Sequence, residues 1–340
     1  MPIPTSQHVV NIYKHASVLP QSVWDVLRQD ERRANIMYPH ALKSLHTEGG
    51  EDVQLWMTCS TFHTLDTHPT LDLILSCTEG PFGSYPIFIL PTAPFDALTH
   101  DYLYPRVGQL VRALLPVVGP QRVFSIFAPE PVTKLFARYW SQLTGIAAYE
   151  QPYYAAKHTY CTRETFVDRC LSIFPDLSYL PRLATESDIS AVAELCFGFS
   201  STSEPFVLTE KRARKEAKYL IRQGLIWVLQ ANLGSAPAEI ASIVAVTRQS
   251  DAVAGITKVY TNPRWRKRGC AERLVRHVTK ALLSHKRSVV LFVAHDNPAA
   301  AGVYHRVGFA GLDDSKRRVE GVEPWLEIGF DRRAVRLGHW

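Results

Sequence analysis

Apolar runs alternate with amphipathic stretches along most of this chain, and their spacing predicts strands and helices in turn. The first half begins with a helical stretch at 23–45, and turn formers such as Gly80-Pro81 separate the apolar runs that follow it. The strands predicted in this half are 53–60, 71–77, 85–90, 122–127 and 157–163, and its other helices are 102–117 and 132–143. The Pro-bearing stretch 172–180 is predicted to be a linker.

The second half alternates strands and helices more regularly. After a strand at 179–183, Thr185 is a predicted N-cap with Asp188 three positions on, followed by apolar residues at helical spacing. Further helices are predicted at 209–222, 269–285 and 298–307, and further strands at 225–230, 239–247, 253–260 and 288–294, near Phe309 and at 325–330. In the helix that begins at Gly269, Arg276 is predicted to point away from the apolar stripe. This alternation predicts a mixed α/β sheet with a buried centre.

Length and composition fit two folded domains. The 340 residues are 46% hydrophobic and 21% charged, which excludes a disordered tail, a collagen-like fibre and a coiled coil. No apolar run approaches the ~20 residues of a membrane helix, and the first twenty residues contain no signal-peptide core. The six cysteines show neither C-x-x-C pairing nor zinc spacing. We therefore expect no membrane partner and a reduced cytoplasmic compartment, with the nucleus as the alternative.

The net charge of +6 is unevenly distributed. Residues 1–175 contain 13 basic and 15 acidic side chains, whereas residues 176–340 contain 25 and 17. The whole positive excess therefore lies in the second half. It suits an anionic partner, which could be nucleic acid, an acidic membrane surface or a phosphate-bearing cofactor, or it is a solvated basic face without a partner.

The most informative stretch is a strand, a Pro-containing loop and a helix that begins at a glycine. Arg266, Gly269 and Ala271 form the pattern R-x-x-G-x-A there, with Lys267 and Arg268 between them. The first N–H groups of a helix have no intrahelical acceptor and carry partial positive charge, so such a terminus can bind an anion. Neither a P-loop nor a G-x-G-x-x-G dinucleotide pattern occurs in the chain. The loop therefore offers a phosphate site of another kind.

This stretch resembles the acyl-coenzyme A loop of the GNAT acetyltransferase superfamily, in which a strand and a proline precede [R/Q]-x-x-G-x-[G/A] at a helix start. The superfamily's second signature, N-x-x-A-x-x-x-Y-x-x-x-G-F, is matched by Asn297, Ala300, Tyr304, Gly308 and Phe309. The resemblance is to a two-part subgroup and implies a mixed-sheet GNAT-like fold (α/β, α+β). Its implied domains are a degenerate N-terminal one at 1–174 and a catalytic one at 175–340.

The first half also parallels the second in its own sequence. The strand at 122–127 and the helix that follows it match the strand at 288–294 and the helix of the second signature. No R-x-x-G-x-[G/A] precedes the helix at 102–117, so we expect a non-catalytic copy of the same fold. The alternative is an unrelated α/β domain.

The resemblance implies the cofactor contacts. The pantetheine arm of acetyl-CoA would pair with the strand backbone at Val259, Tyr260 and Thr261. The pyrophosphate would lie on the N–H groups of residues at the loop and helix start, namely Arg266, Lys267, Arg268, Gly269, Cys270 and Ala271. Lys267 departs from the superfamily pattern, because many members have a glycine there. Coenzyme A phosphates thus explain the positive charge at 264–268 better than nucleic acid does.

The resemblance also implies the chemistry, in which an acceptor amine attacks the thioester directly and neither a metal nor an enzyme-bound intermediate is needed. Tyr304 is the candidate catalytic acid for the leaving thiolate, and the alternative is a core aromatic. Asn297 would bind pantetheine or cap the helix that follows it. Cys270 is interpreted as a small residue near the cofactor, although a helix N-terminus can activate a thiol.

These features predict an N-acetyltransferase that moves an acetyl group from acetyl-CoA to a primary amine. A small molecule is favoured as acceptor over a protein lysine, because an added domain tends to close the groove that a peptide needs. A non-catalytic acyl-CoA sensor or scaffold is the main alternative, suggested by Lys267 and by the lack of a glutamate at 252–259. Nucleic-acid binding through 211–218 and 316–318 has no recognisable motif behind it.

Two questions about the chemistry stay open from the sequence. The general base is left open among Asp251, Glu204, Glu323 and a chain of water molecules. The other concerns a loose trio of possible metal ligands, His63, Asp66 and His68, which is typical of an ordinary polar loop. We therefore expect no metal.

Overall fold

The computed structural model describes residues 7–45, 54–62, 68–169, 176–313, 315 and 317–339, and the chain forms two compact units. One unit comprises Met1–Ala156 and Glu323–Trp340, and the other comprises Lys157–Val322. The boundary predicted at 174/175 differs from this division, because residues 157–169 pack in the second unit and the C-terminal segment packs in the first.

The first unit is built on a mixed sheet. Its strands are β1 (Gln7–Tyr13), β2 (Gln54–Phe62), β3 (Thr70–Gly80), β4 (Gly83–Ser84), β5 (Ile87–Pro91), β6 (Ser125–Pro129) and the C-terminal strand β13 (Glu323–Gly329). Its helices are α1 (Gln21–Gln29), α2 (Tyr38–Leu45), α3 (His100–Val118) and α4 (Glu130–Thr144). The strand order is β1-β2-β3-β5-β6-β13, in which β5 and β6 are parallel and the other pairs antiparallel. Helix α3 supplies the crossover that the parallel pair needs.

The second unit repeats this plan. Its strands are β7 (Tyr154–Thr162, from Lys157 onward), β8 (Leu177–Leu183), β9 (Ile226–Leu233), β10 (Glu239–Gln249), β11 (Val253–Thr261) and β12 (Ser288–Ala294). Its helices are α5 (Ile189–Ser200), α6 (Glu210–Arg222), α7 (Cys270–Leu283) and α8 (Pro298–Val307). Strands β8 to β11 form an antiparallel series, and β11 and β12 are parallel with α7 as their crossover.

Helices cover both faces of the second sheet because its strands are apolar on both sides. Leu274 and Val278 of α7 pack with Leu291 of β12 on one face. On the other face, α5 and α6 pack on β9 and β10, with Val192 and Ile243 in that core. No helix in the described ranges is both long and apolar enough to cross a membrane.

Most predicted elements are confirmed. Strand β12 and helix α8 have the predicted bounds, and Thr185 and Asp188 form the predicted capping box. Except for the helix expected at 23–45, the remaining predicted helices and the longer strands are present with ends shifted by a few residues. Periodicity therefore located the elements well wherever one face is buried.

Four predictions differ from the structure, and strand β1 has no counterpart among the predicted elements. The helix expected at 23–45 is two helices with a 3-10 turn, Arg33–Ile36, between them. Phe309 is not in a strand: its N–H donates to the Tyr304 carbonyl (3.0 Å) and closes the end of α8. Of the predicted linker, residues 172–175 lie outside the described residues, and residues 177–180 belong to β8. Arg276 is buried, because Glu272 and backbone carbonyls hold its guanidinium.

Candidate active site

Strands β11 and β12 are paired only where they begin. Residues 253–255 pair with residues 288–290, whereas the other edge of β11 stays paired with β10 as far as Thr261. Within the described part of the chain, residues 256–261 therefore have no strand partner on the β12 side. Such an edge presents unpaired backbone groups that can hydrogen-bond an extended ligand.

A β-bulge lies just beyond the last paired residue of β11. The register of β11 against β10 shifts at Thr257, and a bulge leaves its extra residue outside the ladder and bends the strand. The divergence of β11 from β12 thus begins at this position. Beyond it, Val259 packs against the α7–α8 core and Tyr260 against the α5–α6 core.

The loop after β11 is held by its own side chains. Asn262 caps the 3-10 turn Pro263–Trp265, since its Oδ1 accepts from the N–H of Arg264 (3.2 Å). Trp265 is buried and donates from Nε1 to Glu239 (2.9 Å), which also pairs with Arg264. Arg264 is thus committed to Glu239, and the positive charge that faces solvent comes from the residues after it.

The turn into α7 uses two left-handed residues. Lys267 has φ 60° and Gly269, the N-cap of α7, has φ 71°. Gly269 makes no side-chain cap, so the first N–H groups of α7 stay open for an anion. The hydroxyl of Tyr179 on β8 donates a hydrogen bond to the carbonyl of Arg268 (3.2 Å), and this contact fixes the turn.

Three cations flank this open helix start. Arg266 donates from Nε to the carbonyl of Thr261 (3.3 Å), and Arg268 stacks on the Trp265 ring at 5.1 Å from its centroid. Within the described ranges, neither these arginines nor Lys267 pairs with a carboxylate. Their charge is therefore available to a phosphate-bearing ligand.

Cys270 is buried at the first position of α7. Burial raises the pKa of its thiol to about 11, an effect that nearby Arg273 and Arg268 only partly offset. The thiol is thus protonated near neutral pH, which fits the prediction of a small packing residue and not an activated nucleophile.

Tyr304 and Asn297 lie on α8 and just before it. Tyr304 is buried against Phe309 (5.8 Å between ring centroids), and burial raises the pKa of its phenol. The phenol therefore keeps its proton near neutral pH. Asn297 caps α8, because its Oδ1 accepts from the N–H of Ala300 (3.0 Å).

The structure places the three carboxylates considered as a base on different parts of the chain. Asp251 precedes β11, whose nine residues put it roughly 30 Å from the loop after Thr261. Glu204 is exposed in the segment between α5 and α6. Glu323 is buried in the first unit and bound to Arg33 (3.1 Å). Sequence reasoning instead missed Glu216, a buried acid on α6 whose spacing from Ala213 and Leu220 places it on the apolar stripe.

The first unit lacks these features at the corresponding β5–α3–β6 crossover. The Oγ1 of Thr99 accepts from the N–H of Tyr102 (3.3 Å) and caps the start of α3. The guanidinium of Arg33 donates to the carbonyls of Pro91 and Ala93 (3.1 and 2.7 Å) at the end of β5. The start of α3 thus has a side-chain cap, whereas the start of α7 has none.

Other predicted sites can be placed only in part. His63, Asp66 and Lys316 lie outside the described residues. Among the residues that the structure does describe, no group of His, Cys, Asp and Glu side chains could hold a metal ion.

Known proteins resemble this chain in sequence over one segment and in fold over nearly its whole length. Residues 232–319 match the family model described as FR47-like protein. No curated protein matches the sequence. A tandem GNAT protein from the clavulanic acid biosynthesis pathway, solved without acetyl-CoA, superposes with a TM-score of 0.52 at 11% identity over 95% of this chain and 98% of its own.

Two further solved structures cover nearly all of both chains. A Drosophila protein superposes with a TM-score of 0.61 at 11% identity, covering 96% of this chain and 99% of its own. A GCN5-related N-acetyltransferase from Sphaerobacter thermophilus gives 0.53 at 12% identity, with 98% of each chain covered. These likenesses confirm the GNAT fold, the two-part arrangement and the predicted resemblance to the superfamily.

Proposed function

We propose that this chain, which has the GNAT fold in two parts, is an N-acetyltransferase that moves an acetyl group from acetyl-CoA to the primary amine of a small molecule. One observation carries the proposal: the unpaired edge of β11, residues 256–261, leads directly into the uncapped, cation-flanked start of α7. The pantetheine arm of acetyl-CoA, which is extended and ends in a pyrophosphate, would fit a strand edge followed by an open helix start.

The residues divide the binding task between them. The backbone of Val259, Tyr260 and Thr261 would pair with the pantetheine amides as an added strand does. The N–H groups from Arg266 to Ala271 would hold the pyrophosphate, and the side chains of Arg266, Lys267 and Arg268 would add positive charge. Gly269 has no side chain and Ala271 has only a methyl group, so a phosphate can approach the backbone closely at both positions.

The chemistry needs positioning, a base and an acid. The amine nitrogen bonds to the acyl carbon, and the carbon–sulfur bond breaks. Tyr304 on α8 would supply the proton for the thiolate, because its phenol is protonated near neutral pH. Asn297 would act through its cap, because it sets the start of the helix that bears Tyr304.

The first unit is proposed to be a degenerate, non-catalytic copy. The Thr99 cap occupies an N–H group at the start of α3, whereas the start of α7 has no side-chain cap. We expect one acetyl-CoA bound per chain, which isothermal titration measures directly.

The central experiment combines binding with turnover. Acetyl-CoA is titrated into the protein, and thiol release is then followed with a panel of primary amines, a lysine peptide and no acceptor. We expect micromolar binding and release with at least one small amine. Binding without release for any acceptor would favour the sensor, and release with the peptide alone would favour a protein-lysine acetyltransferase.

Two variants that each remove three positive charges test whether acetyl-CoA binds at the loop before α7. Arg266→Gln, Lys267→Gln and Arg268→Gln are combined in one variant, and Lys211→Gln, Arg212→Gln and Arg214→Gln on α6 in the other. We expect the loop variant to raise the Kd for acetyl-CoA at least tenfold, and the α6 variant to change it less than twofold. Equal weakening in both would indicate a diffuse charge effect and argue against the proposed site.

A further inference from the structure

Glu216 of α6 and Lys258 of β11 form a buried ion pair. The Nζ of Lys258 lies 2.8 Å from both Oε1 and Oε2 of Glu216, and the side chains of Lys258 and Glu216 are 12% and 10% exposed, respectively. Burying two charges sacrifices their hydration, and apolar replacements of such pairs are often neutral or stabilising. Packing alone therefore gives little reason for a carboxylate here.

The position of the pair ties it to the unpaired edge of β11. Lys258 directly follows the bulge at Thr257, where β11 leaves β12, and it lies opposite Ala245 on the α5–α6 face. Val259, the next residue, faces α7 instead. Glu216 is thus held beside the point where the strands diverge, on the face away from α7.

The end of α5 packs over the same segment. The Phe199 ring lies 4.9 Å from Nζ of Lys258, and a Cβ on Gly198 would lie 2.7 Å from the hydroxyl of Tyr260. The titratable groups facing Glu216 are Lys258 from β11 and Cys196 from α5. Burial raises the pKa of the Cys196 thiol to about 12, so this thiol is a neutral donor to the carboxylate.

We propose that Glu216 is the base that takes a proton from the ammonium group of the acceptor, directly or through one water, with Lys258 as its positioning residue. This inference rests on the proposed acetyl transfer. It places the acceptor amine on the α5–α6 side of β11, opposite the helix whose start would hold the phosphates. It also accounts for a β11 strand without a glutamate, because the carboxylate comes from α6.

The protons balance in this arrangement. The ammonium gives one proton to the Glu216 carboxylate, and the free amine then forms the nitrogen–carbon bond as the carbon–sulfur bond breaks. The thiolate takes the proton of Tyr304, and the proton shed by the new amide nitrogen restores the phenol. The proton on Glu216 passes to solvent, so one proton is released per acetyl group transferred.

In this scheme, Lys258 orients the carboxylate of Glu216. Two hydrogen bonds from one ammonium group fix both oxygens of Glu216 and so fix its rotamer. A base gains from such fixing because proton transfer requires a defined approach of donor and acceptor. Removing Lys258 should therefore slow the reaction without removing the base.

The test compares pH profiles of kcat for wild type, Glu216→Gln and Lys258→Gln, with the amine of the panel that wild type acetylates fastest. We expect Glu216→Gln to lower kcat about 100-fold at pH 7. The loss should shrink towards pH 10, where the amine is already deprotonated in solution. Lys258→Gln should lower kcat about tenfold without that recovery towards pH 10, and the Kd for acetyl-CoA should stay within twofold in both.

Two more variants separate chemistry from stability. Asp188→Asn removes a buried carboxylate that pairs with Arg182 (2.6 Å) at the start of α5, and it should leave kcat within twofold. If Glu216→Gln does not fold, Glu216→Met with Lys258→Met replaces the pair by apolar residues, and it should show the same recovery at high pH.

Several outcomes would overturn the proposal. Glu216→Gln, or the double methionine variant, could retain at least half of the wild-type kcat at pH 7. Glu216→Gln and Lys258→Gln could also lose activity equally with unchanged pH profiles, which would assign the pair a structural role. Failure of the proposed function is a different result, because wild type itself would then release no thiol with any amine.

Discussion

Lys267 and Gly269, two residues apart at the entrance to α7, both have a left-handed backbone, with φ of 60° and 71°. An L side chain in this conformation costs roughly 1–2 kcal/mol, whereas glycine adopts it freely. The turn that opens the helix start therefore carries strain at Lys267 and none at Gly269. The departure of this chain from the superfamily pattern thus falls on a position whose backbone suits glycine.

Replacing Gly269 by alanine should strain the backbone of the turn without causing a steric clash. A Cβ there would come no closer than 3.9 Å to Arg273, so the cost is conformational, about 1 kcal/mol in the free energy of unfolding. We expect the Kd for acetyl-CoA to rise at least fivefold, because the N–H groups that would face the pyrophosphate are re-aimed. Titration calorimetry and denaturant unfolding measure the two effects.

Gly145 provides the matched control for that change. It follows α4 in the first unit with the same left-handed backbone, φ 72° and ψ 0°, and a Cβ added to it would meet nothing within 4 Å. Gly145→Ala should cost the same stability but leave the Kd for acetyl-CoA unchanged. Equal Kd values for both alanine variants would show that the turn at Gly269 does not bind the ligand.

Lys267→Gly should relieve the strain that remains. We expect the free energy of unfolding to rise by up to about 1 kcal/mol, because the left-handed cost exceeds the entropy lost by a glycine. The Kd for acetyl-CoA should change less than threefold, since the backbone cradle persists and two arginines stay beside it. A tenfold loss of affinity would instead assign the Lys267 side chain a direct phosphate contact.

The sequence predicted the local features of the site and missed those that depend on tertiary pairing. The open start of α7 follows from glycine chemistry and charge next to a strand, all between Arg266 and Ala271. The burial of Tyr304 follows from its spacing on α8. These features are local, so periodicity and capping rules describe them.

Glu216 and β13 show why the rest could not be predicted. Glu216 lies in a strongly charged helix, and only its partner on β11 distinguishes it from the exposed charges around it. Strand β13 reads as an ordinary strand, yet it joins the sheet of the first unit, where Trp325 packs 5.2 Å from Phe127 between ring centroids. Alternation reveals which residues share a face but not which sheet receives the strand.

Tyr304→Phe tests the acid role directly. The substitution removes one oxygen from a buried ring, so the packing against Phe309 should persist and the protein should keep its stability within about 1 kcal/mol. We expect kcat to fall at least tenfold while the Kd for acetyl-CoA stays within twofold. Near-normal turnover in this variant would reduce Tyr304 to a core aromatic.

Glu272 on α7 should make the stability of the second unit sensitive to acid. Burial opposes ionisation of this carboxyl, but hydrogen bonds from Arg306, Arg169 and Arg276 outweigh it and hold its pKa below the usual value. Because the folded pKa is depressed, the stabilisation is present above the unfolded pKa and is lost as the pH falls through the folded one. Glu272→Gln should cost about 3 kcal/mol at pH 7 by leaving Arg276 buried without its anion.

Denaturant unfolding of this variant and wild type between pH 3 and 7 measures that effect. We expect their difference in unfolding free energy to be largest near pH 7 and to shrink below the unfolded pKa. A difference that stays constant with pH would mean that the carboxylate charge contributes nothing to stability.

Glu327 on β13 should show the opposite dependence. Burial raises the pKa of its carboxyl to about 8, although the hydroxyl of Ser125 donates to it at 2.7 Å. The folded carboxyl therefore keeps its proton while the unfolded one ionises, so its contribution to stability falls as the pH rises from the unfolded pKa of about 4.5 towards 8. Glu327→Gln removes this titration and keeps an acceptor for Ser125. Measured by denaturant unfolding, the variant should gain stability relative to wild type between pH 5 and 8, and a difference that stays constant over this range would mean that Glu327 is ionised in the folded protein.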